Sequence, residues 1–125
     1  MSKEKEVNKI INLNTMYSLT IGERVAATKI FDEYKGNLST LAMIFEDLKK
    51  CNVEDTEWTK AGLVKTPDGQ GRVRLDWNDE GSEKNNVDLS KEGVEYLKGK
   101  IEAKNASGEF TLADKAVISL ASKIK

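Results

Sequence analysis

The sequence predicts an α+β fold that is mostly helical. Three observations carry that expectation. Apolar residues recur at helical spacing across residues 19–50 and again toward the C-terminus. Thr66-Pro67-Asp68-Gly69 is strong turn chemistry between two short runs, the second of which alternates apolar and polar residues. Good N-cap residues, Thr20, Asn37 and Ser90, stand just ahead of the helical stretches. The expected order is an N-terminal antiparallel helix hairpin, a short third helix, a small β-hairpin or three-stranded sheet, and two C-terminal helices.

The totals fit one domain. A chain of 125 residues is near the commonest domain size and long enough to bury a core. Residues 1–18 read as a tail and lead-in, and residues 19–125 as a single globular domain. A charged fraction of 33% against 38% apolar implies heavily charged outer faces on a modest core. The net charge of −1 gives no general attraction to nucleic acid or to an anionic membrane. Charge is uneven, however: residues 46–95 hold 8 basic and 13 acidic side chains, an acidic centre suited to a protein contact. The single cysteine, Cys51, fits a reducing compartment. No apolar run approaches a membrane span, and the charged N-terminus lacks the apolar region of a signal peptide. The expected location is the cytoplasm.

Residues 1–6 alternate Lys and Glu and read as a frayed tail. Val7, Ile10, Ile11 and Leu13 form a short apolar cluster whose spacing suits a helical turn or a strand equally, and Asn12, Asn14, Thr15 and Ser18 read as loop or cap residues. Thr20-Ile21-Gly22-Glu23 has the form of a capping box. It opens a helix expected over residues 21–35, with Gly36 as a left-handed stop. Asn37 then caps a helix whose Leu38, Leu41, Phe45 and Leu48 form the expected inward stripe, supported by Ala42, Met43 and Ile44. A short helix follows between Asn52 and Gly62, with Glu54 or Asp55 at its start and Trp58 inward. Strands near 63–66 and 72–77 make the hairpin, Val73, Leu75 and Trp77 facing one way and Arg72, Arg74 and Asp76 the other. Val87 and Leu89 suggest a third strand. Ser90 caps a helix with Val94, Leu97 and Ile101 inward, weakened by Gly93 and Gly99. Thr111 to Asp114 opens a last helix over 112–124, with Leu112, Ala116, Val117, Leu120 and Ile124 inward.

The residue inventory argues against catalysis. There is no histidine, which removes triads built on it and most general bases for neutral pH. One cysteine cannot hold zinc or an iron–sulfur cluster, and Cys51 reads as a small residue at a helix end. No phosphate-binding glycine loop is present; Gly69-Gln70-Gly71 lies in a turn. Asp76, Asn78, Glu80 and Gly81 resemble the start of a calcium loop, but the position that needs a bidentate Glu is Val87. The expectation is therefore a protein that is not an enzyme and carries no cofactor or metal. Trp58 and Trp77 read as core anchors.

Two surfaces remain. The hairpin and the acidic segment 76–95 are the expected contact region for a protein partner, with Asp79, Glu80 and Glu83 the residues whose charge reversal should weaken it. Three helices followed by a hairpin also have the order of a winged helix, with Lys65, Arg72 and Arg74 as wing residues on phosphates. Against it, residues 37–48 lack Lys and Arg, and the short third helix carries Glu54, Asp55 and Glu57, which would repel phosphate.

The order LTIGERV, GNLSTL, EDLKK, DTEWTKAGL, RLDWN and GEFTLADKAVISL resembles a group of short, uncharacterised proteins encoded by tailed bacteriophages and prophages. Lys35-Gly36-Asn37 stands where that group has Glu-Gly-Asn. The resemblance implies a phage-encoded protein made in a bacterial cytoplasm and transfers no catalytic residue. The expected function is a small non-enzymatic protein that binds another protein, host-directed or accessory. The alternatives are a winged-helix-like nucleic-acid-binding protein and a virion assembly or accessory component.

Overall fold

The computed structural model describes residues 15–111 and 114–124. The tail expected at residues 1–6, the cluster of Val7, Ile10, Ile11 and Leu13, Asn12 and Asn14, and Leu112 of the last helix lie outside the described residues. The elements are β1 (Thr15–Leu19), α1 (Ile21–Phe31), α2 (Leu38–Lys50), α3 (Asp55–Lys60), β2 (Val64–Pro67), β3 (Val73–Asp76), β4 (Lys84–Leu89), α4 (Lys91–Ala106) and α5 (Lys115–Lys123). The fold is α+β with helix predominating among the described residues. None of its helices is long and apolar enough to cross a membrane.

Helix α1 is the axis. It lies against α2, α4 and α5, and its Ala27, Ile30 and Phe31 are buried with Ile44, Leu97, Leu120 and Ile124. The capping box forms as the sequence predicts: Glu23 N–H donates to Thr20 Oγ1 (3.2 Å) and Thr20 N–H to Glu23 Oε1 (2.8 Å). The helix stops at Phe31, four residues before the expected Lys35. Glu33 and Tyr34 N–H turn back to the carbonyls of Ile30 and Phe31, which tightens the end, and the Tyr34 ring stands edge-on to Tyr96 at 5.0 Å. Gly36 is not among the left-handed glycines, so it is not the stop expected of it. A Cβ there would collide with the Tyr34 ring, so the position needs a small residue for space.

Asn37 caps α2, accepting from Thr40 N–H at 2.9 Å. The inward face of α2 is only partly the expected one. Ile44 and Leu48 turn in, with Asp47 and Cys51, whereas Leu38, Leu41 and Phe45 are 81%, 40% and 55% exposed. Ile44, Leu48 and Cys51 recur at steps of four and three residues and make the inward stripe, with Asp47 among them bonded to Ser90.

The strands also pair differently from expectation. β4 does not extend the hairpin into a three-stranded sheet. It pairs antiparallel with β1, Tyr17 opposite Val87, with an irregularity between Tyr17 and Leu19. Thr15 and Ser18, expected as loop or cap residues, are therefore in a strand. Leu19, Val87 and Leu89 are at most 1% exposed in this sheet. Burial of that kind was not on offer beside β2 and β3, every residue of which is exposed. The hairpin itself matches the reading, with Val64 opposite Asp76 and Pro67 opposite Val73. In the C-terminal half, Ser90 caps α4, and Val94, Leu97, Leu120 and Ile124 face inward as predicted.

Candidate functional site

The loop 77–83 returns from the hairpin and closes over the first turn of α1. A helix start leaves its first N–H groups without partners. Here Ile21 N–H donates to Ser82 Oγ (3.1 Å) and Gly22 N–H to Asp79 Oδ1 (2.9 Å). Asp79 Oδ1 also accepts the Trp77 indole N–H at 2.6 Å. A carboxylate is favoured at this end of the helix dipole. Gly22 makes room for it, because a Cβ there would run into the Asp79 carboxylate.

The next two residues are buried charges. Glu23, 1% exposed, accepts from Thr20 N–H, from Lys123 Nζ (2.7 Å) and from the Ser119 hydroxyl. Burial pushes its pKa up, but the bonds from Lys123, Ser119 and Thr20 together outweigh burial and hold it below the usual carboxylate range. Lys123 Nζ also donates to the Ser18 carbonyl (2.8 Å), so α5 is tied to α1 and β1 at one point. Arg24 is fully buried. Its guanidinium donates to both Glu57 oxygens (3.1 and 2.7 Å) and to the carbonyls of Asn52 (3.3 Å) and Ser82 (3.0 Å). The Arg24 bonds hold the Glu57 pKa low. One side chain thereby joins α1 to α3 and to the loop before β4.

Asp47 is the third buried charge. It accepts from Ser90 N–H (2.9 Å) and the Ser90 hydroxyl (2.5 Å), whose oxygen in turn accepts from Gly93 N–H (3.0 Å). Burial pushes its pKa up against the lowering effect of those bonds. Gly93 is another forced small residue, since a Cβ would meet the Asp47 carboxylate. Cys51 is buried, and its thiol is pushed up to about 12, first by burial and then by Asp47. It is therefore a neutral thiol at physiological pH.

The hairpin is fastened at its base. Trp58 and Trp77 meet edge to face at 5.2 Å, and Asn78 N–H donates to the Ala61 carbonyl at 2.9 Å. Every residue of β2 and β3 is exposed, though Leu75 borders grooves shared with α1, α3 and α5. Val73 and Leu75 share a face with Lys65 and Pro67, while Arg74 shares the other with Val64, Thr66 and Asp76. Arg72 pairs with Asp68 at 3.0 Å and Arg74 with Asp76 at 3.1 Å.

The residues expected to act together are thus placed apart. Lys65 is on the opposite face of the ribbon from Arg74. Asp79 is drawn inward to cap α1. Glu80 is exposed, and Glu83, also exposed, accepts from the Ser18 hydroxyl at 2.8 Å. Arg24, Asp47 and Ser82 were missed by the sequence reading. A signal existed for two of them: Arg24 is three residues before Ala27 and seven before Phe31, and Asp47 is three after Ile44, so both fall on the spacing of buried residues. Comparison of the chain with protein-family models, with curated proteins and with solved structures gives no match.

Proposed function

We propose that this chain is a small non-enzymatic protein, phage-encoded as its motifs imply, that acts by binding another protein through the β2–β3 hairpin. The observation that carries the reading is the ribbon itself. All eight of its strand residues are exposed, including Val64, Val73 and Leu75 at 56%, 55% and 43%. A lone two-stranded ribbon is marginal in water. Its apolar face gains from being covered, and its outer edges offer backbone groups for strand addition. Glu80 and Glu83, in the loop after β3, are exposed carboxylates of the acidic segment, with Asp79 engaged in capping α1.

The test is capture from a bacterial lysate. Wild-type protein is expected to retain a specific protein that the Val73→Asp/Leu75→Asp variant loses, with Glu80→Lys/Glu83→Lys weakening retention. Retention of nothing, or equal retention by the hairpin variant, contradicts the reading. Nucleic-acid binding is the competing outcome, and a DNA or RNA gel shift at low salt that is abolished by Arg72→Ala/Arg74→Ala would establish it. Mass spectrometry of purified virions separates an accessory component from a host-directed protein.

A further inference from the structure

A groove of about 610 Å³ lies where α1, the end of α2 and α3 meet. That size is within the roughly 300–1,000 Å³ typical of binding clefts. Its walls include Val25 of α1, Leu48 of α2, Val53 and Trp58. Lys29 and Lys49 are its only charged lining residues; among the described residues no carboxylate lines it. Lys29 has no ion pair among the described residues, while Lys49 bonds Glu46 at 2.9 Å and lies over the Phe45 ring at 5.1 Å.

The groove continues along α2. Leu38, Leu41, Phe45 and Leu48 follow one another at steps of three, four and three residues, so they share one side of the helix. The first three are among the large apolar residues that the fold leaves exposed. Together with Leu48 they form a strip of about 15 Å at 1.5 Å per residue. Leu48 belongs to both, so the strip runs into the groove as one track, with Lys29 and the Lys49–Glu46 pair beside it.

The dimensions and the charge choose the occupant. A stable dimer buries about 800 Å² per partner. At about 250 Å² for a whole large side chain, the exposed parts of Leu38, Leu41 and Phe45 give less than about 450 Å², the scale of one helix face. Residues 1–14 of this chain carry three lysines against two glutamates, the wrong sign for a lysine border. We propose that the track docks an amphipathic helix of a partner protein, about three turns long. Its apolar side chains recur at i, i+3 or i+4, and i+7, and its flanking carboxylates meet Lys29 and Lys49. This site is separate from the hairpin and stands whether or not the hairpin binds.

The experiment is selection of fifteen-residue helical peptides, from a display library with all charge patterns, on the full-length protein. The expected winners are acidic and amphipathic. Phe45→Ala is expected to weaken them at least tenfold, and Lys29→Glu/Lys49→Glu to reject them and accept their Lys-for-Glu counterparts. These positions are on the surface, so circular dichroism should show all variants folded. NMR shifts should centre on Val25, Leu48 and the Trp58 indole. Winners without acidic bias, or winners indifferent to Phe45→Ala, overturn the proposal. So does self-association that Phe45→Ala abolishes. Peptides lost with Val73→Asp/Leu75→Asp and kept with Phe45→Ala would belong to the hairpin and also overturn it.

Discussion

Gly93 and Gly99 stand six residues apart in α4 and are there for different reasons. Gly99 has open space where a Cβ would go, so Gly99→Ala should stabilise the protein by about 0.5–1 kcal/mol through helix propensity. Gly93→Ala drives a methyl into the Asp47 carboxylate and should cost about 1–3 kcal/mol despite the same propensity gain. Urea unfolding of the two variants against wild type checks both signs. Glu57→Gln leaves the buried Arg24 charge without its counter-ion, and a loss of about 3 kcal/mol is expected in the same assay. The buried carboxylates set opposite pH dependences. Glu23 has a lowered pKa, so its contribution is full above the unfolded value of about 4.3 and is lost as pH falls through the folded value. Asp47 has a raised pKa, so the fold is favoured when it is protonated, and that advantage is lost as pH rises from about 3.9 through the folded value. Glu23→Gln should therefore flatten the acid limb of stability, whereas Asp47→Asn should gain on wild type as pH rises above about 4. The capping box of Thr20 and Glu23 was legible because both bonds lie within four residues. Arg24 and Asp47 were not understood because their partners, Glu57 and Ser90, are 33 and 43 residues away.

Among the elements, α2 shows how one helix can carry two overlapping apolar faces. Leu38, Leu41 and Phe45 mark a good amphipathic stripe, yet the face with Ile44, Asp47 and Cys51 is the one buried. An aspartate among apolar residues reads as a solvated position until its partner is known. The hairpin was legible from Pro67, Asp68 and Gly69, because turn chemistry is local; Asp68 Oδ1 accepts from Gln70 N–H and Arg72 N–H. The β1–β4 pair was not, since Tyr17 and Val87 are joined across most of the chain. The base of the hairpin gives a prediction of its own. Trp77→Ala removes both the Trp58 contact and the bond to Asp79. Amide exchange in β2 and β3 should accelerate at least tenfold, with the rates of α4 and of the β1–β4 pair little changed. Equal acceleration throughout would mean that the ribbon is part of the core.

Taken together, the molecule is a helical body braced by Glu23, Arg24 and Asp47, with the hairpin as its uncovered projection. The braces explain why charged residues sit at the centre of a chain this small. They tie α3, the loop before β4, α4 and α5 to α1 and α2 with directional bonds where apolar area is limited. They also leave the surface chemistry to the hairpin, the loop beneath it and the open face of α2. The order of elements was readable from caps and turns, while the set of large apolar residues left exposed was not, because it depends on which face of each element the fold buries. The most direct measurement is hydrogen exchange on the complex recovered from lysate, compared with the free protein. Residues 64–76 should gain protection in the complex while the amides of α1 remain as they were. Hairpin amides that exchange as fast in the complex as in the free protein would contradict the account.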